Sequence, residues 1–469
     1  MKTSRIIILL SVLSTVSLIA QNRNDITGLG MGRSSVASSA GIDAMWSNPA
    51  NLIVTDTTAK AFSISLSPVG AMAGNSIMSI NDLKFYFGGV KSATGKTTAR
   101  TLTDSERDAF LSKLSEGIIA GSVNVSGLAF LYVLSPTSTI GFSHNTTAEF
   151  QANIPSGVAD IVAGYTGFKP LSIQNTTANA LVYNSYQVSF ASVIKNAEHG
   201  SQQSTVQIGV NAKYLQGLYY AEAGSTNSIV VTPYVPTGWD STKNWDVVIN
   251  TSTRSAGVSN ATEFTPTSLL YSSQPSGSGV GFDLGTTITL PNVFESPLLV
   301  SASLTDVGFI SWSNGTYNTT VAHDTIKAVA QLDESFLDRY QPTTKTQAFT
   351  TALSTRFRIG ASAMFNDVIS QTENIRCAVE YTQGFNTVGV NTTIPRISAG
   401  AELLQHGFRP ALRLGAQLGG IEGSMITAGF GWNILNTIAF DVAIGSLQTV
   451  FSPKTTKWVD GGFRLRVDL

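Results

Sequence analysis

The chain has 469 residues, a formal net charge of −1, one cysteine and 13% charged residues. Soluble domains carry about 25% Asp, Glu, Lys and Arg, so the deficit of charge is large, while an apolar content of 42% excludes wholesale disorder. Near-neutral charge leaves no basic footprint for nucleic acid, and the lone Cys377 excludes a disulfide framework or a multi-cysteine metal site.

At the N-terminus, Lys2 and Arg5 precede an apolar run over residues 6–20, and Gln21 opens a polar stretch. This pattern predicts a cleaved signal peptide over residues 1–20 and hence an exported chain. The run is shorter than the ~20 residues a spanning helix needs. Residues 21–59 are rich in Gly, Ser and Ala and show little periodicity. Irregular backbone can lie at membrane depth only where protein buries it, so this stretch is either a packed plug or a disordered leader. Trp46 and the small residues favour packing.

From residue 60 onward, apolar residues recur at every second position, the period of a strand. In order, the candidate strands are 62–67, 122–134, 137–150, 181–194, 206–214, 282–290, 298–310, 357–365, 375–381, 397–403, 412–418, 426–434, 438–444 and 463–469. They total roughly 14, an even number as bacterial single-chain barrels require. Helices are expected over 102–116, where Thr103 and Glu106 have capping-box spacing, and over 326–340, ahead of Pro342.

Alternation of this kind suits a soluble sandwich or propeller as well as a membrane barrel. Short links (135–136, 195–204, 291–296, 366–374, 405–410, 435–436) alternate with mostly longer ones (68–121, 151–180, 217–278, 311–348). Short turns at one rim and long loops at the other favour an all-β fold, a transmembrane antiparallel β-barrel, with outer-membrane lipid against the apolar parity. The opposite parity would then line the lumen. It carries Lys213, Asp283, Arg356, Arg358, Arg376 and Glu380, and further along Arg396, Glu402, Arg413, Asp441, Arg464 and Arg466. Mixed signs suit a filled lumen, in which the charges either satisfy one another or latch a plug. Tyr183, Tyr219, Tyr220, Trp312, Tyr381, Trp432 and Trp458 lie near strand ends, as girdle residues or as ordinary strand packing.

Enzyme motifs are not found. His144, His199, His323 and His406 are scattered without a His-Glu-x-x-His pair. The glycine pairs near Gly28 and Gly279 lack dinucleotide-binding spacing, and no Gly-x-Ser-x-Gly elbow occurs. Neither a cofactor nor a metal is expected.

The run Gly30-Met-Gly with Ala/Ser-rich sequence behind it, then Asn48-Pro49-Ala50-Asn51-Leu52, resembles the N-terminal hatch of FadL-type outer-membrane transporters of long-chain fatty acids. It is equally similar to their PorV-like relatives, barrels associated with type IX secretion. Segments 209–217, 281–285, 303–308 and 349–360 look like a branch of the same superfamily. The resemblance implies a 14-stranded barrel over 60–469 with a hatch over 21–59 in its lumen, and it places Asn48, Pro49 and Ala50 in the hatch motif. It further implies a channel for uptake of hydrophobic small molecules across the outer membrane of a Gram-negative bacterium. The alternative is a non-transporting platform that docks a protein partner at the long loops.

Overall fold

Each candidate strand of the sequence finds a neighbour on both sides. The computed structural model describes residues 24–53, 60–91, 95–114, 116–155, 157–162, 171–174, 176–199, 202–224, 227–234, 244–257, 272, 274–291, 293, 296–329, 343–368, 373–405, 410–434 and 437–469. The expected signal peptide lies outside these residues. Fourteen antiparallel strands form the barrel wall. The first seven are β1 (Phe62–Asn75), β2 (Gly117–Ser135), β3 (Ser138–Ile154), β4 (Ala178–His199), β5 (Gln202–Ala223), β6 (Gly277–Leu290) and β7 (Leu298–Trp312). The other seven are β8 (Arg356–Phe365), β9 (Glu373–Gly384), β10 (Arg396–Gln405), β11 (Ala411–Gly419), β12 (Met425–Ile434), β13 (Ile438–Ile444) and β14 (Trp458–Asp468). β14 closes on β1, with Ser63 opposite Asp468 and Gly74 opposite Trp458. Closure leaves no free edge, so every wall strand has its backbone groups paired on both sides, as a hydrocarbon solvent demands.

The two faces sort by chemistry. Ile397, Leu414 and Leu418 are 62%, 57% and 65% exposed on the outer surface, and Phe282, Leu284, Val379, Leu412 and Phe463 share that side. Their chain neighbours Asp283, Glu380, Ser398, Arg413 and Arg464 are buried. A soluble barrel would show the reverse, so the outward apolar face identifies a membrane-spanning wall. Among the described residues, no helix is long and apolar enough to cross a membrane.

One rim has short connections and also receives both ends of the wall, where the Phe62 and Leu469 backbones exchange hydrogen bonds. The other rim is more strand-rich than the sequence suggests. The expected loop 217–278 contains strands Ser228–Tyr234 and Asn244–Ala256, and the expected loop 311–348 contains Thr316–Val329. Residues 244–256 pair with 316–329 and with 228–234, so the sheet continues past the rim. The helix expected over 326–340 is therefore corrected. Ile326 to Val329 belong to a strand, the state that β-branched Ile and Val favour, and 330–340 lie outside the described residues.

The other expected helix is present, as Asp104–Lys113. Thr103 and Glu106 form the reciprocal capping box, and the Thr103 amide and Arg100 hold the Glu106 carboxyl below its usual range. A second helix, Ile80–Phe87, has the same device in Ser79 and Asp82.

Candidate functional site

Residues 24–53 are buried almost throughout and occupy the space that the wall encloses. Their local shape follows from the sequence. Asp25 caps helix α1 (Ile26–Gly30) by accepting the Gly28 amide. A 3₁₀ turn follows at Gly41–Trp46. At Pro49–Leu52 the Asn48 side chain accepts the Ala50 amide at 3.1 Å and Pro49 fills the first helical position, where its missing N–H costs nothing.

The same Asn48 amide reaches the wall. Its Nδ2 donates to the Val36 carbonyl and to the Thr287 hydroxyl, both at 3.0 Å. Asn51 donates to the Val36 carbonyl at 3.0 Å, and the Thr287 hydroxyl donates to Asn51. Ala50 is fully buried. Wall glycines Gly209 and Gly285 face this turn, and a Cβ on either would overlap Pro49, Ala50 or Asn48.

Contacts of this kind run around most of the circumference. Asn24 donates to Asn145 on β3 at 2.8 Å. Gln187 on β4 and Asn211 on β5 both donate to the Met45 carbonyl at 3.0 Å. Ser303 on β7 donates to the Ser47 carbonyl at 2.9 Å. Thr427 on β12 accepts the Gly32 amide at 2.8 Å and donates to the Gly30 carbonyl at 2.9 Å. An apolar patch completes the seating: Ile42, Met45, Trp46, Leu52 and Ile53 pack on Ala129 and Leu131 of β2 and Ala191 of β4. Those inward apolar positions explain why 128–134 is apolar on both parities.

The charged positions expected in the lumen form three groups. In the first, Lys213 lies 2.7 Å from both Asp283 and Asp306. In the second, Glu380 accepts the Ser35 and Val36 amides, each at 2.7 Å, and pairs with Arg358 at 2.7 Å; Arg396 stands 4.0 Å away. In the third, Glu402 joins Arg376 at 3.0 Å and Arg413 at 2.8 Å, Arg413 reaches Asp441 at 2.7 Å, and Asp441 meets Arg464. Arg464 also pairs with Asp43 of the N-terminal segment, and Arg466 lies 3.9 Å from the same carboxylate. Arg376 and Arg466 remain about a quarter exposed at the side chain. Arg356 is buried but joins none of these groups: its Nε donates to Asn391 at 3.0 Å.

Sequence reasoning missed a partner. Arg33 pairs with Glu422 at 2.7 Å and with Asp460, tying the segment to the long-rim ends of the wall. Arg33 has φ +66°, a backbone conformation in which alternation carries no signal.

A second missed element is the 385–395 link between β9 and β10. It turns inward instead of standing clear of the rim. Gly389 donates to Asn179 at the start of β4 at 2.7 Å, and Asn179 donates to the Thr387 carbonyl at 3.2 Å. Asn391 donates to the Thr355 carbonyl at 3.1 Å. Val388 packs on Trp312 and its neighbours, while Val390 joins Met72, Ala120 and Trp458. Because β4 and β9 stand on different sides of the wall, this link is a strap across the mouth. Gly389 has φ +60° and lies against the Glu149 carboxylate, so a side chain there is excluded twice over.

The aromatic residues near strand ends divide. Tyr183, Tyr220 and Trp312 point inward into one apolar cluster with Leu215, Ile310 and Leu353, and Trp458 belongs to another. Tyr381 alone of the seven is classed as exposed, and Tyr219 and Trp432 are half-buried. A girdle made of all seven is corrected, because inward burial next to apolar neighbours satisfies more of the large ring surface.

Two small cavities lie inside the wall, one of about 20 Å³ lined by wall residues and one of about 50 Å³ lined by the wall and the N-terminal segment. Both are lined mainly by polar and charged groups, and both touch Asp306 and Arg356. Volumes of this size hold waters, not a solute of drug size. Among the described residues, no group of three His, Cys, Asp or Glu side chains is placed to hold a metal ion.

A comparison with curated proteins finds no match. Among solved structures, the toluene transporter TbuX of Ralstonia pickettii is 14% identical, with a TM-score of 0.42 over 94% of this chain and 97% of that one. The Pseudomonas putida toluene transporter TodX is 10% identical, with a TM-score of 0.42 over 94% and 95%. The monoaromatic hydrocarbon channel CymD is 9% identical, with a TM-score of 0.45 over 94% and 96%. A family model described as a family of unknown function matches residues 52–436, more than half of the sequence. The chain thus belongs to that family, DUF5723.

Proposed function

We propose that this protein is an outer-membrane barrel of a Gram-negative bacterium, exported by a cleaved signal peptide, that takes up hydrophobic small molecules in the manner of a FadL-like channel. Residues 24–53 act as its hatch, with Asn48-Pro49-Ala50 as the turn that seats it. The carrying observation is the way that segment is held. It is a folded insert attached to the wall largely by hydrogen bonds and ion pairs, among them Asp43–Arg464, Arg33–Glu422 and the Glu380 contacts to Ser35 and Val36. Polar contacts can be exchanged for water as a segment shifts, whereas a continuous hydrophobic core cannot.

A second reading, a PorV-like platform that docks a protein partner, is favoured by the paired strands 244–256 and 316–329 beyond the rim. One experiment separates the two. Uptake of a hydrophobic tracer is measured in vesicles whose outer leaflet is lipopolysaccharide, for the native chain and for Asp43→Asn, which loosens the segment at Arg464. Transport expects protein-dependent uptake that rises several-fold in the variant. Uptake equal to protein-free vesicles for both chains sinks transport and leaves the platform.

A further inference from the structure

The larger cavity is bounded on one side by the N-terminal segment, through Asp25, Arg33 and Ser35, and on the other by the wall, through Arg356, Arg358 and Arg396. Guanidinium donors are therefore gathered at one small cavity. The question is which of them are already used.

Arg33 is committed to Glu422 and Asp460. Arg358 gives its Nε to Glu380 and one terminal nitrogen to Ser35 and Glu380. Arg356 is different. It is 8% exposed, it touches both cavities, and its Nε is occupied by Asn391. Among the described residues, no hydrogen bond reaches its two terminal nitrogens, and no carboxylate lies within 4.0 Å of it. Nη1 of Arg358 is likewise unoccupied among the described residues. These nitrogens are not among the fully buried unpartnered atoms, so they open onto the cavity space, where a bound anion would meet them with charge-assisted hydrogen bonds.

The carboxylates nearby have other work. Asp306 is held by Lys213 at 2.7 Å, Glu380 is engaged by Arg358 and two backbone amides, and Asp25 accepts the Gly28 amide at 2.8 Å through Oδ1. The buried Oδ2 of Asp25 has no hydrogen-bond partner among the described residues and is a charge the arginines at the cavity must outweigh. At about 50 Å³ the cavity has room for roughly three or four waters. That is also the space of one small anion.

We infer that the cavity between the N-terminal segment and β8 is a binding site for one small monoanion, chloride or a carboxylate of acetate size, with the terminal nitrogens of Arg356 and Nη1 of Arg358 as its donors. Because segment and wall both bound the site, an occupied site holds the two together. The inference does not depend on transport; a platform with the same filled lumen would bind the anion equally.

The test uses the full-length chain in detergent micelles. The midpoint of its heat-induced mobility shift on gels is followed with sodium chloride and with sodium acetate, each against sodium gluconate at matched ionic strength. Chloride and acetate should raise the midpoint to a plateau, gluconate should not, and Arg356→Gln should lose the plateau response. Arg107→Gln, on the exposed face of helix 104–113, should keep it. A response to gluconate equal to that to chloride, or an unchanged response in Arg356→Gln, overturns the site. Should that variant fail to fold, crystals of the native chain grown in bromide decide the matter. An anomalous peak beside Arg356 supports the site, and a cavity without one overturns it.

Discussion

Gly209 and Gly285 sit on the polar parity of strands whose other positions there are Asn211, Lys213, Asp283 and Thr287. No charge or hydrogen bond distinguishes them, yet they face the Asn48-Pro49-Ala50 turn so closely that one methyl group on either would displace it. Gly209→Ala and Gly285→Ala should each destabilise the seated segment by about 1–3 kcal/mol, the usual effect of overpacking. Gly461→Ala should do much less, since its Cβ would meet only the Ala443 carbonyl, at 3.3 Å. Protease protection of residues 24–53 reads the difference, and equal protection in all three variants would contradict the assigned packing. Thr427 teaches the complementary point. A lumen-facing threonine looks tolerant in sequence, but this one bonds both Gly30 and Gly32, so its replacement by lysine is not mild.

At the scale of elements, the strands were legible wherever one face meets lipid. Period-2 alternation is a direct consequence of an apolar solvent on one side and polar company on the other. That rule runs along 356–365, 396–405 and 458–468, where the charged positions lie inward as the alternation requires. It fails beyond the rim. Residues 244–256 and 316–329 are rich in Thr, Asn and Ser, which blurs the alternation, and they pair with each other. The strap 385–395 was illegible for a further reason. Its conformation is fixed by Asn179, Thr355 and Arg356, partners far away in sequence. The candidate site was legible in residue type but not in grouping: alternation places Arg358, Glu380, Arg413 and Asp441 inside, and only register across strands decides who pairs with whom.

The outer face carries its own expectation. Lysine in place of Val210, Phe430 or Phe440, all exposed to the outside, should cost about 2–4 kcal/mol where the position lies near the bilayer midplane. Folding equilibria in vesicles report it. Tolerance at all three positions would mean that these side chains do not meet hydrocarbon.

At the scale of the whole molecule, the described N-terminal segment lies inside the wall and the 385–395 link crosses its mouth. The wall is held by continuous ladders between fourteen strands, while the insert is held by side chains. An insert tied by individual side-chain contacts opens before a wall closed by continuous backbone ladders. The segment should therefore yield to denaturant first. The most direct measurement is the electrical conductance of the full-length chain in a planar bilayer as urea is raised reversibly. The expected result is a silent barrel without urea, followed by discrete conductance steps at urea concentrations well below those that unfold the wall, and silence again on washout. A steady open conductance without urea would show that the lumen is not filled, and silence up to the unfolding of the wall itself would show that the segment is not a separable plug.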